Sequence, residues 1–476
     1  MSVKITVIGA GPGGYVAALR AADLGARVTV LESAEVGGAC LNWGCIPTKT
    51  LIASAETLER IKRAGEYGID ISGNVSYNLD KIRERKDKVI LTQVKGIKAL
   101  LKGRGVTLLA ARGSLVADDA VRAVHADGST QDIVSDRIII ATGSRPAGVP
   151  GITPDGSSIL TSDDAVRLTD VPASILIIGA GVIGCEFAFI YRALGAEVTM
   201  VELGPRALMT EDEEISGLIE RELKKAKIKL ITDAPVERLV KDAAGMMTAV
   251  LPKGKQVSAH KVLLSVGRQL NTEGLDLALR GVRTGPRGEI AVNERMETSV
   301  SGIYAVGDVT GKMMLAHVAS HQGLVAAENA LGGSATMDYD IVPAGIFTMP
   351  EIGSVGLREH QARERGIEIR TGRFPYRGLG KAHAMGEIAG IMKIIADAKT
   401  DRVLGVHLCG AHASDLVHEG ALAIRMGATS RQLGHMIHAH PTLAEGIQEA
   451  ANDVQGTAVH VQPERAKTIP PHTVEG

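Results

Sequence analysis

The stretch that decides the fold is Ile8–Glu32, IGAGPGGYVAALRAADLGARVTVLE, and the chain writes it twice. Ile178–Glu202, IGAGVIGCEFAFIYRALGAEVTMVE, aligns with it without a gap. Each copy reads as an apolar strand, a Gly-x-Gly-x-x-Gly turn, a helix, Leu-Gly-Ala, a second strand and a terminal glutamate. That is the pattern of a βαβ nucleotide-binding unit. Gly9 and Gly179 suit the tight turn after the strand. Gly11 and Gly181 let backbone approach a pyrophosphate, and Gly14 and Gly184 permit close helix–strand packing. The helix N-terminus then offers unpaired N–H groups and a positive dipole end to phosphate. Glu32 and Glu202 close the second strands, where a carboxylate can accept hydrogen bonds from ribose hydroxyls. A lone glycine motif is weak, but the full context occurs twice. Two units imply two nucleotides.

Outward from the repeat, the stretch between the copies is polar and helix-biased, ending in the buried strand and turn Ile138–Pro146, IIIATGSRP. Val262–Arg268, VLLSVGR, repeats that strand-then-glycine pattern after the second copy. Ser301–Val309, SGIYAVGDV, is another short strand ending in Gly307-Asp308. From about Ala344 the character changes to short β-like runs, GIMKIIAD and RVLGVHL, followed by helical segments, which reads as an α+β domain. The tail 461–476 carries Pro463, Pro470 and Pro471 and reads as extended or disordered.

The chain has 476 residues, enough for about three domains. Lys plus Arg (53) nearly cancels Asp plus Glu (54), so the basic field that nucleic acid or an anionic membrane demands is missing. No partner of either kind is expected. The early glycines break the pattern of a signal peptide, and no glycine-free apolar run approaches the ~20 residues of a membrane span. These features point to a cytoplasmic protein, with a mitochondrial matrix location not excluded. Four cysteines, Cys40, Cys45, Cys185 and Cys409, are too few for a disulfide framework and fit a reducing compartment.

Gly37–Thr50 reads GGACLNWGCIPTKT. Cys40 and Cys45 are close enough for a disulfide if one helical turn distorts, and Lys49 is a candidate cation to favour a thiolate. Two unpaired core cysteines would have the same spacing, which does not choose between the readings. The motif closely resembles the redox loop of the pyridine-nucleotide–disulfide oxidoreductases, and the resemblance covers about residues 3–455. It implies that Cys40 is the interchange thiol and Cys45 the thiol against a flavin. It places Lys49 near the flavin, paired with Glu186. It also implies a base near the C-terminus, and His438–Glu445, HAHPTLAE, supplies one: His440, oriented by Glu445. Histidine titrates near neutrality and suits proton exchange between thiols, and a carboxylate on its other nitrogen fixes the tautomer. His435 and His438 nearby lack liganding spacing, so no metal is expected.

The same resemblance carries further positions. Gly113, Thr142, Gly143, Ser144 and Asp308 fall where the family contacts FAD, and Met314, Leu315, Ala316 and His317 where it flanks the flavin. Gly267 matches a nucleotide-contacting glycine, and Val236 an adenine-side contact. The implied fold class is α/β, with two Rossmann-like nucleotide-binding domains plus a C-terminal α+β dimerisation domain. The implied boundaries are 1–150 for the FAD domain with the redox pair, 151–270 for the NAD domain, 271–343 for a return segment completing the FAD domain, 344–460 for the interface domain and 461–476 for the tail. Trp43 and Ala39 depart from the usual loop, which carries a small aliphatic residue and threonine there. Cys185 and Cys409 read as buried hydrophobes.

Within the family, CIPTK, HPTLAE, SVGR and MPEIGSVG are most similar to the dihydrolipoamide dehydrogenases. The resemblance implies oxidation of dihydrolipoyl groups with FAD and NAD by a homodimer, partnered by a lipoyl-bearing acyltransferase or carrier protein of a multienzyme complex. An NAD(P)H-dependent reductase of another small disulfide, or a mainly structural component of such a complex, are the alternatives. Glu202 favours NAD, whereas Arg206 could swing towards a 2′-phosphate; a solvated surface charge is the preferred reading of Arg206.

Overall fold

In a computed structural model of the protein, which describes residues 2–461, both glycine stretches form the expected strand, turn, helix and strand. The first copy is β1 (Lys4–Ile8), α1 (Pro12–Asp23) and β2 (Arg27–Glu32). It continues through α2 (Gly38–Asn42), α3 (Cys45–Lys62) and α4 (Leu79–Gly103). Then come β3 (Thr107–Ala110), β4 (Arg112–Ala117), β5 (Ala120–Val124), β6 (Thr130–Val134), β7 (Arg137–Ile140) and β8 (Ser144–Pro146). After β9 (Ile159–Leu160) and α5 (Ser162–Ala165), the second copy is β10 (Ser174–Ile178), α6 (Val182–Ala193) and β11 (Glu197–Val201). It runs on through α7 (Glu213–Lys225), β12 (Lys229–Ile231), β13 (Arg238–Lys241), β14 (Met247–Val250), β15 (Gln256–Ala259), β16 (Lys261–Leu264) and β17 (Arg268–Leu270). β18 (Ile303–Ala305) and α8 (Ala316–Ala330) follow. The C-terminal part is β19 (Ala344–Ile346), β20 (Ile352–Gly356), α9 (Glu359–Glu364), β21 (Ile369–Pro375), α10 (Gly380–Met385), β22 (Ile391–Asp397), β23 (Val403–Cys409), α11 (Ala413–Arg425), α12 (Ser430–His435) and α13 (Glu445–Val454). The expected extended tail lies, apart from Val461, outside the described residues.

The described residues divide into two compact units: 2–178, Ala193–Glu197 and Glu237–Asp338 in one, and Gly179–Arg192, Val198–Val236 and 339–461 in the other. The first unit is built on a parallel sheet in the order β18-β7-β1-β2-β3. Its central strands are apolar on both faces because parallel sheets are covered on both sides; Ile5, Val7, Ile139 and Ile140 are all buried. β10, β16 and β9 are parallel neighbours in the same unit. Sequence reading gave the region between the copies as helical, and α3 and α4 are there. It missed the antiparallel sheet β4-β5-β6, which recurs after the second copy as β13-β14-β15. Short, mostly exposed strands such as TQDIV carry too little apolar alternation to stand out.

In the second unit β11 and β12 pair in parallel. The runs GIMKIIAD and RVLGVHL supply β22 and β23 of an antiparallel sheet, β19-β20-β23-β22-β21. Ile394, Val406 and Leu408 of that sheet share one buried cluster with Val417 of α11 and Ile447 and Val454 of α13. A buried ion cluster lies in the same unit. Lys393 Nζ stands 2.7 Å from Asp212, 2.6 Å from Glu359 and 3.2 Å from Glu214. Burial works against the ammonium, but the bonds to Asp212 and Glu359 outweigh it and hold Lys393 above the usual lysine value.

Candidate active site

The two glycine turns repeat one set of bonds. Gly9 (φ 104°) and Gly179 (φ 103°) adopt the left-handed backbone that favours glycine. A Cβ on Gly9 would stand 2.4 Å from Ala141 O, and one on Gly14 would stand 1.9 Å from Gly9 O, so α1 lies hard against the turn. Gly11 caps α1 with Pro12 following, and no side chain caps the helix, which leaves first-turn N–H groups free of side-chain partners. A Cβ on Gly11 would meet only Gly38, at 3.9 Å, and one on Gly181 nothing within 4 Å. Space lies over both middle glycines, where a pyrophosphate would pass. Gly184 is buried in the first turn of α6.

The terminal acids are fixed by backbone, which sequence alone had not revealed. Glu32 accepts from Ala10 N (2.7 Å) and Ala34 N (2.8 Å). Glu202 accepts from Ala180 N (2.6 Å) and Gly204 N (2.8 Å). Arg206 is not the solvated charge expected of it. Its guanidinium donates to Ser216 Oγ (2.7 Å) and to the carbonyls of Leu208, Met209 and Glu211 (3.1–3.3 Å). Val236 lies half-buried in the loop after β12.

The exit turns of the two copies meet. β8, carrying Ser144, pairs antiparallel with β17, carrying Arg268. Thr142 Oγ1 donates to Asn271 O (2.7 Å), and Asn271 Nδ2 returns a bond to Thr142 O (3.0 Å). Gly143 and Gly267 both have positive φ, 67° and 117°. Ser144 Oγ donates to Asp308 Oδ2 and accepts from Arg268 Nε (2.7 Å), and Arg268 stands 3.7 Å from the same carboxylate. Arg268 was read only as part of a motif; the clue to its role was the matching position of SVGR and ATGS after their strands. Gly307 N donates to Gln322 Oε1 (2.6 Å). Met314 and Leu315 lead into α8, with Leu315 at its cap and Ala316 and His317 in its first turn. Gly113, on β4 opposite Ala123, sits where a Cβ would meet Ile8 and Leu31 within 2.9 Å.

In the redox loop the distortion expected between the cysteines is a full break. α2 ends at Asn42, Trp43 caps it, and Cys45 opens α3 behind Gly44. Cys45 therefore sits in the first turn of an 18-residue helix, where the dipole favours a thiolate. The structure holds Cys40 and Cys45 as two thiols in hydrogen-bond contact. That bond, then burial, pushes the Cys40 thiol well above the ordinary range, with the Lys49 charge opposing. Cys40 is thus the member of the pair that keeps its hydrogen. Trp43 is half-buried, its N–H bonded to Ala39 O (2.9 Å). Cys185 and Cys409 are fully buried, and burial raises both thiols.

In the other unit, His440 Nδ1 lies 2.8 Å from Glu445 Oε1, with the imidazole 77% exposed. Glu445 also accepts from Thr442 N (2.9 Å). Burial works against the Glu445 carboxylate, yet the His440 bond prevails and holds it below the usual value. Glu186, on α6, is buried and accepts from Phe347 N (3.1 Å). Lys49 lies on α3 of the first unit. No group of three or more His, Cys, Asp or Glu that could hold a metal, and no helix long and apolar enough to cross a membrane, occurs among the described residues.

Residues 3–323 match the family described as pyridine nucleotide-disulphide oxidoreductase, and residues 342–451 match its dimerisation domain. The chain belongs to the pyridine nucleotide-disulphide oxidoreductase family. A dihydrolipoyl dehydrogenase of Bacillus subtilis is 40% identical, over 96% of this chain and 98% of the relative. The mitochondrial dihydrolipoyl dehydrogenase of Pisum sativum is 38% identical, over 96% and 92%. Among solved members, LpdA of Mycobacterium tuberculosis superposes with a TM-score of 0.89 at 31% identity, covering 94% of this chain and 99% of that one. The Cu(II) complex of RclA, a HOCl-induced flavoprotein disulfide reductase of Escherichia coli, gives 0.85 at 26% identity, over 95% and 99%.

Proposed function

We propose that the chain is a dihydrolipoyl dehydrogenase, converting a dihydrolipoyl dithiol and NAD+ to the cyclic disulfide, NADH and a proton. The observation that carries this reading is the Cys40–Cys45 thiol pair, one member at a helix N-terminus, in the same unit as the first glycine turn. A dihydrolipoyl thiolate attacks Cys40 of the oxidised pair and expels Cys45 as a thiolate. The second substrate sulfur then attacks the mixed disulfide, closing the lipoyl ring and releasing Cys40. His440 takes the substrate protons through its Nε2, its Nδ1 held by Glu445. The helix dipole and Lys49 stabilise the thiolate.

FAD, when bound, supplies the two-electron carrier between the dithiol and NAD+. Gly9, Gly11, Gly14, Glu32, Gly113, Thr142, Gly143, Ser144, Asp308 and Met314–His317 would hold it, and the room over Gly11 and the uncapped α1 fit its phosphates. Gly179, Gly181, Gly184, Glu202 and Val236 would hold NAD. The dimerisation domain supports a homodimer, and in this reading His440 of one chain serves Cys40 of the other. A cytoplasmic setting and a lipoyl-bearing acyltransferase or carrier protein complete the reading.

Anaerobic titration with dihydrolipoamide tests it. Two electrons should enter each FAD-bearing chain, and two thiols should appear. A protein that ignores dihydrolipoamide yet reduces another small disulfide with NADH is a reductase instead. Mixing Cys45→Ser with His440→Ala chains should restore activity if sites are shared, and no recovery would place each site within one chain.

A further inference from the structure

The loop that carries His440 holds a second histidine bonded to a second glutamate. His438 Nε2 lies 2.8 Å from Glu419 Oε1, on α11, and its Nδ1 lies 2.9 Å from Met436 O. Its side chain is 3% exposed, against 77% for His440. A backbone carbonyl only accepts, and so does an ionised carboxylate. A neutral imidazole owns one N–H, so one ring nitrogen would turn its lone pair on an oxygen. A proton donated by Glu419 is the other way to fill that contact, but carboxyls ordinarily titrate about two units below histidine. Both nitrogens therefore carry hydrogen.

We propose that His438 is a positioning residue: a buried imidazolium that clamps the loop bearing His440 to α11 through Glu419 and Met436 O. The inference rests on the reading of His440 as the base. The bond to Glu419 raises the His438 pKa, burial opposes, and Glu445 of α13 adds to the rise. The loop thus lies between two carboxylates, Glu419 on α11 and Glu445 on α13, the second also bonded to His440. Because the folded value is raised, the clamp is fully present below about pH 6.5 and is lost as pH rises through the folded value.

The test uses the FAD-loaded enzyme with two substitutions. His438→Phe fills the ring's volume but donates nothing; kcat for dihydrolipoamide should fall about 10²-fold, the scale of a catalytic group misplaced by roughly 1 Å. KM for NAD+ should stay within about twofold, since the nucleotide contacts are untouched. Glu419→Gln lets a neutral His438 keep both bonds, so it should retain kcat and lack the alkaline decline expected of the unmodified enzyme. Hydrogen exchange of the 436–440 amides needs no substrate; taken relative to the intrinsic base-catalysed rate at each pH, it should quicken in His438→Phe, and in the unmodified protein at alkaline pH but not in Glu419→Gln. Unchanged exchange in His438→Phe, or superimposable pH profiles for the unmodified and Glu419→Gln proteins, would overturn the clamp. Failure to oxidise dihydrolipoamide with the exchange pattern intact would instead count against the proposed function.

Discussion

The two glycine units are the same frame with different cargo. Ala10 N meets Glu32 at 2.7 Å where Ala180 N meets Glu202 at 2.6 Å. After each acid the loop folds back onto the turn by one backbone bond, Gly37 N to Ala10 O (2.8 Å) and Leu208 N to Ala180 O (2.9 Å). Beyond that bond the copies part. The first loop runs into α2 and α3 and delivers Cys40 and Cys45; the second is knotted around Arg206 and leads into α7. The frame is fixed by strand, turn and acid, so chemistry is free to vary in the loop that follows. Even a cysteine near the turn is not enough. Cys185 on α6 aligns with Tyr15 of the first copy, but it is buried, donates to Ala180 O at 3.4 Å, and burial keeps it a thiol.

The largest effect should come from breaking that contrast at sulfur. Cys45→Ser should lower dihydrolipoamide oxidation by at least about 10³-fold, as loss of a covalent participant does. Cys185→Ser should leave turnover within about twofold, since a buried thiol serves as a small apolar group. Stopped-flow turnover of both variants checks this, and a large loss in Cys185→Ser alone would reverse the roles of the copies. A middle-sized effect separates packing glycines from approach glycines. Gly14→Ala puts a methyl 1.9 Å from Gly9 O and should cost about 1–3 kcal/mol of stability, with FAD lost on purification. Gly181→Ala meets open space, so the melting temperature should hold while KM for NAD+ rises. Equal destabilisation by both would mean the second turn is as tightly packed as the first.

What could be read from sequence follows the same division. The repeat was legible because strand, glycine turn and helix leave a mark at every position, and GIMKIIAD and RVLGVHL were legible as short β-like runs. The pair Cys40 and Cys45 and the couple His440–Glu445 stood out through their motifs; the couple is bonded in the structure. The partners made by distant chain did not stand out. Arg268 reaches Ser144 across 124 positions, and Lys393 meets Asp212 across 181. No local pattern encodes such a bond, because each partner lies more than a hundred positions away and nothing in either residue's own run names it. His438 was passed over for another reason: beside His440 it read as one of a cluster, and only burial and two acceptors distinguish it.

The smallest effect sharpens the comparison at a point the two copies share, the acid. Glu202 is held rigid by Ala180 N and Gly204 N, so its charge cannot swing aside for a second anion. Beside the adenosine ribose it would accept from the free hydroxyls of NAD and face the 2′-phosphate of NADP. Like charges at about 4 Å repel by about 4 kcal/mol at an effective dielectric near 20. A third of that is about a decade in an equilibrium constant. Arg206 offers little relief. Its guanidinium already serves three carbonyls and Ser216, and a swing towards phosphate would give up all four bonds. NAD should therefore be preferred over NADP by at least about tenfold in kcat/KM. Glu202→Ala strips an acceptor from two backbone N–H groups and should weaken NAD as well, so the ratio between the nucleotides is the decisive reading. That ratio should shrink in Glu202→Ala and stay unchanged in Arg206→Ala. Equal use of both nucleotides by the unmodified protein would mean that the second acid only braces its turn.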